Sequence, residues 1–315
     1  MSARSSDPVL PCLTGARAPL TFETVAINEF GESTAISIPA ERALTVYVDK
    51  RELVTLMTLG ANPELLVLGY LRNQRLITSA MDIESITVDW DVGAAAVKSR
   101  QGIADIEAKT AKRVVTTGCG QGSVFGDLMG DIDSIFLPAA SITQAQLYGI
   151  VNAIRLKEST YKSAGSVHAC ALFQGEELLI FVEDVGRHNA IDTIAGWMAM
   201  QGATAPTLPA ARGSLPPEEA NFSRSGPSKN FDDMQGADKV FYTTGRLTSE
   251  MVIKSAQMGV PIVISRSGIT QMGHQLAQRL GLCAIGRATN RHFLCYSGTG
   301  RLIMQPDQAS LRTRA

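Results

Sequence analysis

From Phe22 onward the chain runs in two rhythms, one of period two and one of period 3.6. Thr24–Phe30 and Ser33–Ile38 are runs of β-formers divided by Gly31, the pattern of a hairpin. Ala43–Val48 reads as a further strand. Pro63–Leu71 changes to a helical pattern, with Asn62 as N-cap and Pro63 at the first position. Met81–Asp91 and Gly93–Ser99 return to strand, and a last β-branched run over 113–117 leads into a glycine-rich turn. The pattern predicts a β-rich N-terminal domain over 21–117. Residues 1–20, which show no periodicity, read as a loose tail.

The second half alternates strand with helix. Thr143–Lys157 places Ala145, Leu147, Ile150, Val151, Ile154 and Leu156 on one face of an amphipathic helix. Val167–Phe173 and Leu178–Val185 are strands joined through Gln174-Gly175-Glu176-Glu177, and a helix follows over Asn189–Met200. Val240–Thr244, Val260–Ser265 and Leu282–Ile285 are short apolar strands, separated by helices over 248–258 and 270–280. His292–Ser297 closes the domain, and Thr299 onward reads as tail. This rhythm predicts an α/β domain over 118–300, with 301–315 as tail. Gln201–Asp233 carries Pro206, Pro209, Pro216, Pro217 and Pro227. Because one rhythm continues on both sides, 202–232 reads as a mobile loop and not a domain boundary.

Composition narrows the class. A length of 315 residues suits one large or two ordinary domains. The 29 basic and 30 acidic side chains leave a net charge of −1, which gives no chain-wide field for nucleic acid. Five cysteines without a C-x-x-C pair point to neither a zinc knuckle nor a disulfide framework, so no metal is expected. No apolar run is long enough to span a bilayer, and the N-terminus lacks the apolar segment of a signal peptide. The expectation is a cytoplasmic protein with reduced thiols.

Candidate chemistry lies at the turns. Gly118, Gly120 and Gly122 surround Cys119, giving a thiol a pliable loop instead of packing partners. Loop amides at Gly120 and Gly122 suit an anion such as a thiolate. Four strand ends share one kind of punctuation: Gly186-Arg187-His188, Gly245-Arg246, Arg266-Ser267-Gly268 and Gly286-Arg287. In open α/β sheets ligands bind beyond the carboxyl ends of the strands. Arginines at four such ends point to a phosphate-rich or anionic ligand. His168, His188 and His292 fall near these sites.

These residues together resemble the formate dehydrogenase accessory sulfurtransferases, the FdhD family. The resemblance covers about Phe22 to Tyr296. It rests on Cys119 with its glycines, Gly165-Ser166-Val167-His168-Ala169, the run from Val182 to Asp192, the run from Thr244 to Val252, and Val263-Ile264-Ser265-Arg266-Ser267. It implies a cytidine-deaminase-like α/β domain behind a smaller β-rich domain, as a homodimer. It further implies a sulfur carrier that takes a persulfide from a cysteine desulfurase onto Cys119. The sulfur then passes to the molybdenum (or tungsten) bis-guanine-dinucleotide cofactor, for a formate dehydrogenase as client. The implied cofactor segment, just after the penultimate strand, is Arg287, Ala288, Thr289, Asn290, Arg291 and His292, joined by Arg187, His188, Arg246 and Arg266.

The chain departs from the family pattern where a second cysteine is usual, since Gly122 stands three residues after Cys119. Transfer by one cysteine is chemically sufficient. The missing thiol keeps open a second reading, a chaperone that binds the cofactor without moving sulfur. A zinc-dependent nucleobase deaminase needs H-x-E and P-C-x-x-C motifs. Here Ala169 and Cys170 follow His168, and no P-C-x-x-C occurs.

Overall fold

The computed structural model describes residues 10–103, 106, 132–204 and 238–305. A two-residue strand β1 (Cys12–Leu13) precedes a hairpin of β2 (Thr21–Ile27) and β3 (Ser33–Pro39). The antiparallel pair β4 (Arg42–Val48) and β5 (Arg51–Thr58), helix α1 (Pro63–Asn73), β6 (Ile83–Asp89) and β7 (Ala94–Ser99) complete the first unit. Five strands form one sheet in the order β1-β6-β7-β4-β5, while β2 and β3 pair only with each other. The period-two pattern of β4 buries Leu44, Val46 and Val48, which meet Leu66, Val67 and Leu71 of α1.

The second unit starts with β8 (Ile142–Thr143) and α2 (Gln144–Leu156), whose Thr143 and Gln146 form a reciprocal capping box. A short α3 (Thr160–Ala164) leads to β9 (His168–Gln174), β10 (Glu177–Asp184) and α4 (Arg187–Thr204). The remainder is β11 (Lys239–Thr243), α5 (Ser249–Gln257), β12 (Ile262–Ser265), α6 (Gln271–Leu280), β13 (Cys283–Thr289), β14 (His292–Ser297) and β15 (Leu302–Ile303). The sheet order is β10-β9-β11-β12-β13-β14, with β11, β12 and β13 parallel. One face (Cys170, Leu172, Phe241, Val263, Ala284) packs on α4, α5 and α6. The other (Ala171, Phe173, Tyr242, Ile264, Ile285) packs on Leu147, Ile150 and Val151 of α2. Burial on both faces explains why these strands read as continuous apolar runs.

The two units interlock through α1 and α4. A β-carbon on Gly69 would overlap the carbonyl of Asp192, and one on Gly196 would overlap the carbonyl of Leu65. At this crossing Asp192, fully buried, accepts from Asn73 Nδ2 at 2.6 Å and from Lys254 Nζ at 2.8 Å. Lys254 also lies 3.3 Å from Glu250, which lies 3.1 Å from His188 Nε2. Buried charges persist only when paired in this way.

Two expectations need correcting, and one strand is added. Residues 1–20 are not loose throughout: β1 pairs with β6, and Ala16 N donates to the buried Glu64 at 2.7 Å. The tail does not begin at Thr299 or 301. Leu302 and Ile303 pair with Ile142 and Thr143, and Arg301 donates to the carbonyls of Gly281 and Pro138. The strand β5 was not foreseen, because the polar Arg51-Glu52 that opens it masks the apolar face of Leu53 and Leu56. The predicted strand over 113–117 and the whole segment 107–131 around Cys119, with most of the proline-rich stretch, from 205 to 237, lie outside the described residues. Residues 202–204 of that stretch belong to α4.

Candidate functional site

Strands β10, β11, β12 and β13 run the same way, and β9 runs against them. Their carboxyl ends therefore share one edge with the start of β9, and the four arginine-bearing turns meet there. Close packing leaves little room beside the glycines. A β-carbon on Gly245 would lie 3.1 Å from Arg187 Cδ, and one on Gly286 would lie 2.7 Å from the Tyr296 ring. Arg287 (φ 51°) and Asn290 (φ 52°) hold left-handed backbone, strained for residues with side chains, around a bulge in the β13–β14 pairing. Arg287 N donates to Ser267 O at 2.7 Å, which ties the ends of β12 and β13 together.

The edge has two sides. On the α2 side lies a cavity of about 270 Å³, walled by Arg155, Lys157 and Lys162 and floored by Tyr242, Thr244 and Arg266. Ala288, Thr289 and Asn290 close it on the β13 side. Burial pushes the Tyr242 phenol up to about 12, with Arg266 opposing the rise. Glu183, a carboxylate in this basic wall, accepts from the amides of Thr160 at 2.6 Å and Tyr161 at 3.0 Å, fixing α3 beside the cavity. On the α4 side, burial lowers the His168 pKa, and the guanidinium groups of Arg187 and Arg246 lower it further. Arg187 Nε is buried and has no hydrogen-bond partner among the described residues. This side therefore offers cationic donors beside a neutral imidazole.

The run from Val182 to Asp192 divides its work. Asp184 accepts from Thr58 Oγ1 at 2.5 Å, Leu59 N at 3.1 Å, Gly186 N at 3.0 Å and Asn189 Nδ2 at 2.7 Å, pinning β10 to the first unit. Burial raises its pKa against those hydrogen bonds. Asn189 Nδ2 also donates to Met57 O at 2.6 Å. Asp192, at the end of the run, is held in the buried pair with Lys254.

Of the candidate residues, Arg266, Ala288, Thr289 and Asn290 line the cavity. Arg187 and Arg246 stand at the same edge beside His168. His188 is 2 % exposed and faces Glu250 instead of the open edge. The segment Arg287–His292 does not follow a finished strand. It comprises the end of β13, the turn and the first residue of β14, with Arg287, Arg291 and His292 exposed. Cys119 lies outside the described residues. Arg155, Lys157 and Lys162 were not anticipated; their only signal was a basic cluster at the end of an amphipathic helix.

The sulfur carrier protein FdhD of Listeria innocua is 27 % identical over 285 residues, covering 89 % of this chain and 95 % of that protein. Its Bacillus subtilis counterpart of the same name is 26 % identical over 292 residues, covering 92 % and 98 %. Among solved structures, a Desulfotalea psychrophila protein assigned as a formate dehydrogenase accessory protein superposes with a TM-score of 0.66 at 22 % identity, covering 90 % of this chain and all of that one. That likeness establishes a shared mixed α/β fold. A model of the FdhD/NarQ family matches residues 39–210 and 229–303, most of the chain, and the chain belongs to that family.

Proposed function

We propose that this protein is a cytoplasmic sulfur carrier for the maturation of a formate dehydrogenase, working as a homodimer with a cytidine-deaminase-like second unit. The Cys119 thiolate attacks the outer sulfur of a desulfurase persulfide; the sulfur–sulfur bond of the donor breaks and its cysteine leaves as thiolate. Cys119 then carries the persulfide to a molybdenum or tungsten bis-guanine-dinucleotide substrate. There the bond pair returns to Cys119, and the metal supplies the two electrons that make the arriving sulfur a sulfide.

The observation that carries this reading is the convergence of Arg187, Arg246, Arg266 and Arg287 on one sheet edge, beside a cavity walled by Arg155, Lys157 and Lys162. Two pyrophosphates need such a cationic edge. The role of Cys119 is supported by its glycine setting and by the sulfur-carrier names of the relatives.

The test is incubation with a cysteine desulfurase and free cysteine, followed by mass mapping of persulfides. A mass gain of one sulfur on the Cys119 peptide is expected, and Cys119→Ala is expected to lose it together with formate dehydrogenase maturation. Full maturation with Cys119→Ala would end the carrier reading. Cofactor binding without persulfide would favour the chaperone reading, which the single cysteine among residues 118–122 supports.

A further inference from the structure

The β2–β3 hairpin stands apart from both sheets, held at its base by Arg42, which donates to Pro19 O at 2.6 Å and lies over the Trp90 ring. A two-stranded sheet is marginal by itself in water. This one also presents apolar side chains on both faces. Phe22 and Ile38 are register partners on one face, while Val25 and Ile27 lie on the other. Phe22 is 62 % exposed, Val25 and Ile27 66 %, and Phe30 at the tip 78 %. The tip is ordered: Asn28 Oδ1 accepts from the amides of Phe30 and Glu32 at 3.0 and 2.9 Å, which holds the phenylalanine outward.

Its charge is one-sided. Between Arg17 and Arg42 the chain has Glu23, Glu29, Glu32 and Glu41 and no lysine or arginine. The sheet edge described above is the opposite, with Arg246, Arg266, Arg287 and Arg291 all exposed. Strand β3 also packs beside α3, whose Tyr161 and Lys162 wall the cavity. The arm thus leaves the molecule next to the basic edge.

We propose that this hairpin is an arm that docks on the arginine-bearing edge of a second copy of the chain, with Glu29 and Glu32 against the partner's basic groups. Two copies related by a two-fold axis exchange arms reciprocally. A ribbon of seven-residue strands covered on both faces supplies a large part of the roughly 800 Å² per partner that a stable interface needs. The partner's arm then borders the cavity, so the site is complete only in the pair. The inference rests on the homodimer of the reading above and not on its sulfur chemistry.

The experiment is sedimentation of the full chain, without sulfur donor or cofactor, in low and raised salt. Wild type is expected to sediment as a dimer that weakens with salt, as screened charges require. The double variant V25E/I27E is expected to dissociate at least ~30-fold more readily, the level of a central interface residue, while retaining the wild-type circular dichroism spectrum, because these side chains lie outside both cores. The variant E29K/E32K is expected to weaken the dimer and to remove most of its salt dependence. Cys119→Ala is expected to leave assembly unchanged, which separates this proposal from the carrier reading. A monomeric wild type, or a V25E/I27E variant as dimeric as wild type, would overturn the arm. Wild-type salt dependence in E29K/E32K would overturn its contact with the arginines.

Discussion

Replacing Lys254 by methionine should be among the most damaging single changes in this protein, although the residue touches no ligand. Lys254 is 1 % exposed, with Asp192 2.8 Å and Glu250 3.3 Å from its ammonium. At an effective dielectric of about 20, each contact contributes roughly 5–6 kcal/mol of Coulomb attraction. Desolvation offsets most of this, so the intact network is close to neutral for stability. The variant removes the attraction and leaves Asp192 buried with only Asn73 as partner, an expected cost of about 3–5 kcal/mol. Against a total stability of about 5–15 kcal/mol, that is a large fraction. Burial alone would lower the Lys254 pKa, but Asp192 and Glu250 together hold it above the ordinary value. Its contribution is therefore present above the Asp192 pKa, which burial raises, and below about pH 10.4, and it is lost as pH rises through the higher folded Lys254 value. Urea unfolding near neutral pH reads all of it. Lys254→Met should lower the midpoint sharply, and the double variant with Asp192→Asn should recover about 2 kcal/mol or more, because no bare carboxylate remains. A single variant within about 1 kcal/mol of wild type would refute the argument that this pair is coupled and dry.

Arg246→Ala and Arg187→Ala should each raise the His168 pKa toward its ordinary value, because each guanidinium now holds it down; an unmoved imidazole titration by NMR would place those charges elsewhere. The same depression means that an unfolded chain takes up the His168 proton first. Stability should thus fall as pH drops below about 6.5, and His168→Gln should flatten that part of a denaturation-against-pH profile. Gly69→Ala should cost more than the ~1–3 kcal/mol of ordinary overpacking, since its β-carbon meets main chain and not a movable side chain; a thermal midpoint equal to wild type would contradict the helix crossing. Asp184→Asn should cost about 1–3 kcal/mol by chemical denaturation, because one amide oxygen must replace two carboxylate oxygens that now serve four donors.

The order of the longer strands and helices, β5 excepted, was legible because central strands such as Ile262–Ser265 are apolar on both faces and Pro63 and Thr143 mark helix starts. The shared edge of the arginine turns was legible too, because the α/β rhythm forces parallel strands and puts their carboxyl ends together. Pairing partners distant in sequence were not legible. Nothing local shows that Thr58 would bind Asp184, 126 positions away, or that Leu302 would pair with Ile142. The Gly186-Arg187-His188 turn reads as a ligand site, and the burial of the charged run around it, from Val182 to Asp192, is invisible in a single sequence. Three of its polar residues, Asp184, Asn189 and Asp192, hold the two units together, while Glu183 and Arg187 face the edge. For the same reason His188 read as a cofactor contact, whereas the fold turns it toward Glu250.

The described thiols sharpen what a sulfur-carrying cysteine must be. Cys170 is fully buried, donates to Thr243 Oγ1 at 3.3 Å, and is pushed up to about 12 by burial, so it is protonated and closed to a donor. Cys283 is fully buried, and its hydrogen bond to Cys295, together with burial, drives its pKa upward as well. That same hydrogen bond lowers the pKa of the half-buried Cys295. Low pKa alone does not make a carrier, since the attacking sulfur must also reach a second protein's persulfide. Cys295 sits within a strand, paired with Ile285 and packed partly among the apolar side chains under α2, and not on a glycine-rich turn. Cys12 is exposed and lies on the strand added beside β6 in the first unit, whereas the arginine edge belongs to the sheet of the second. Cys119, set between glycines in the stretch of sequence from the first unit to the second, is the cysteine to which the carrier reading assigns the sulfur. Persulfide mapping should therefore distinguish Cys119 from Cys295 by peptide, and sulfur found on Cys295 in preference to Cys119 would move the chemistry from the loop to the β13–β14 pair.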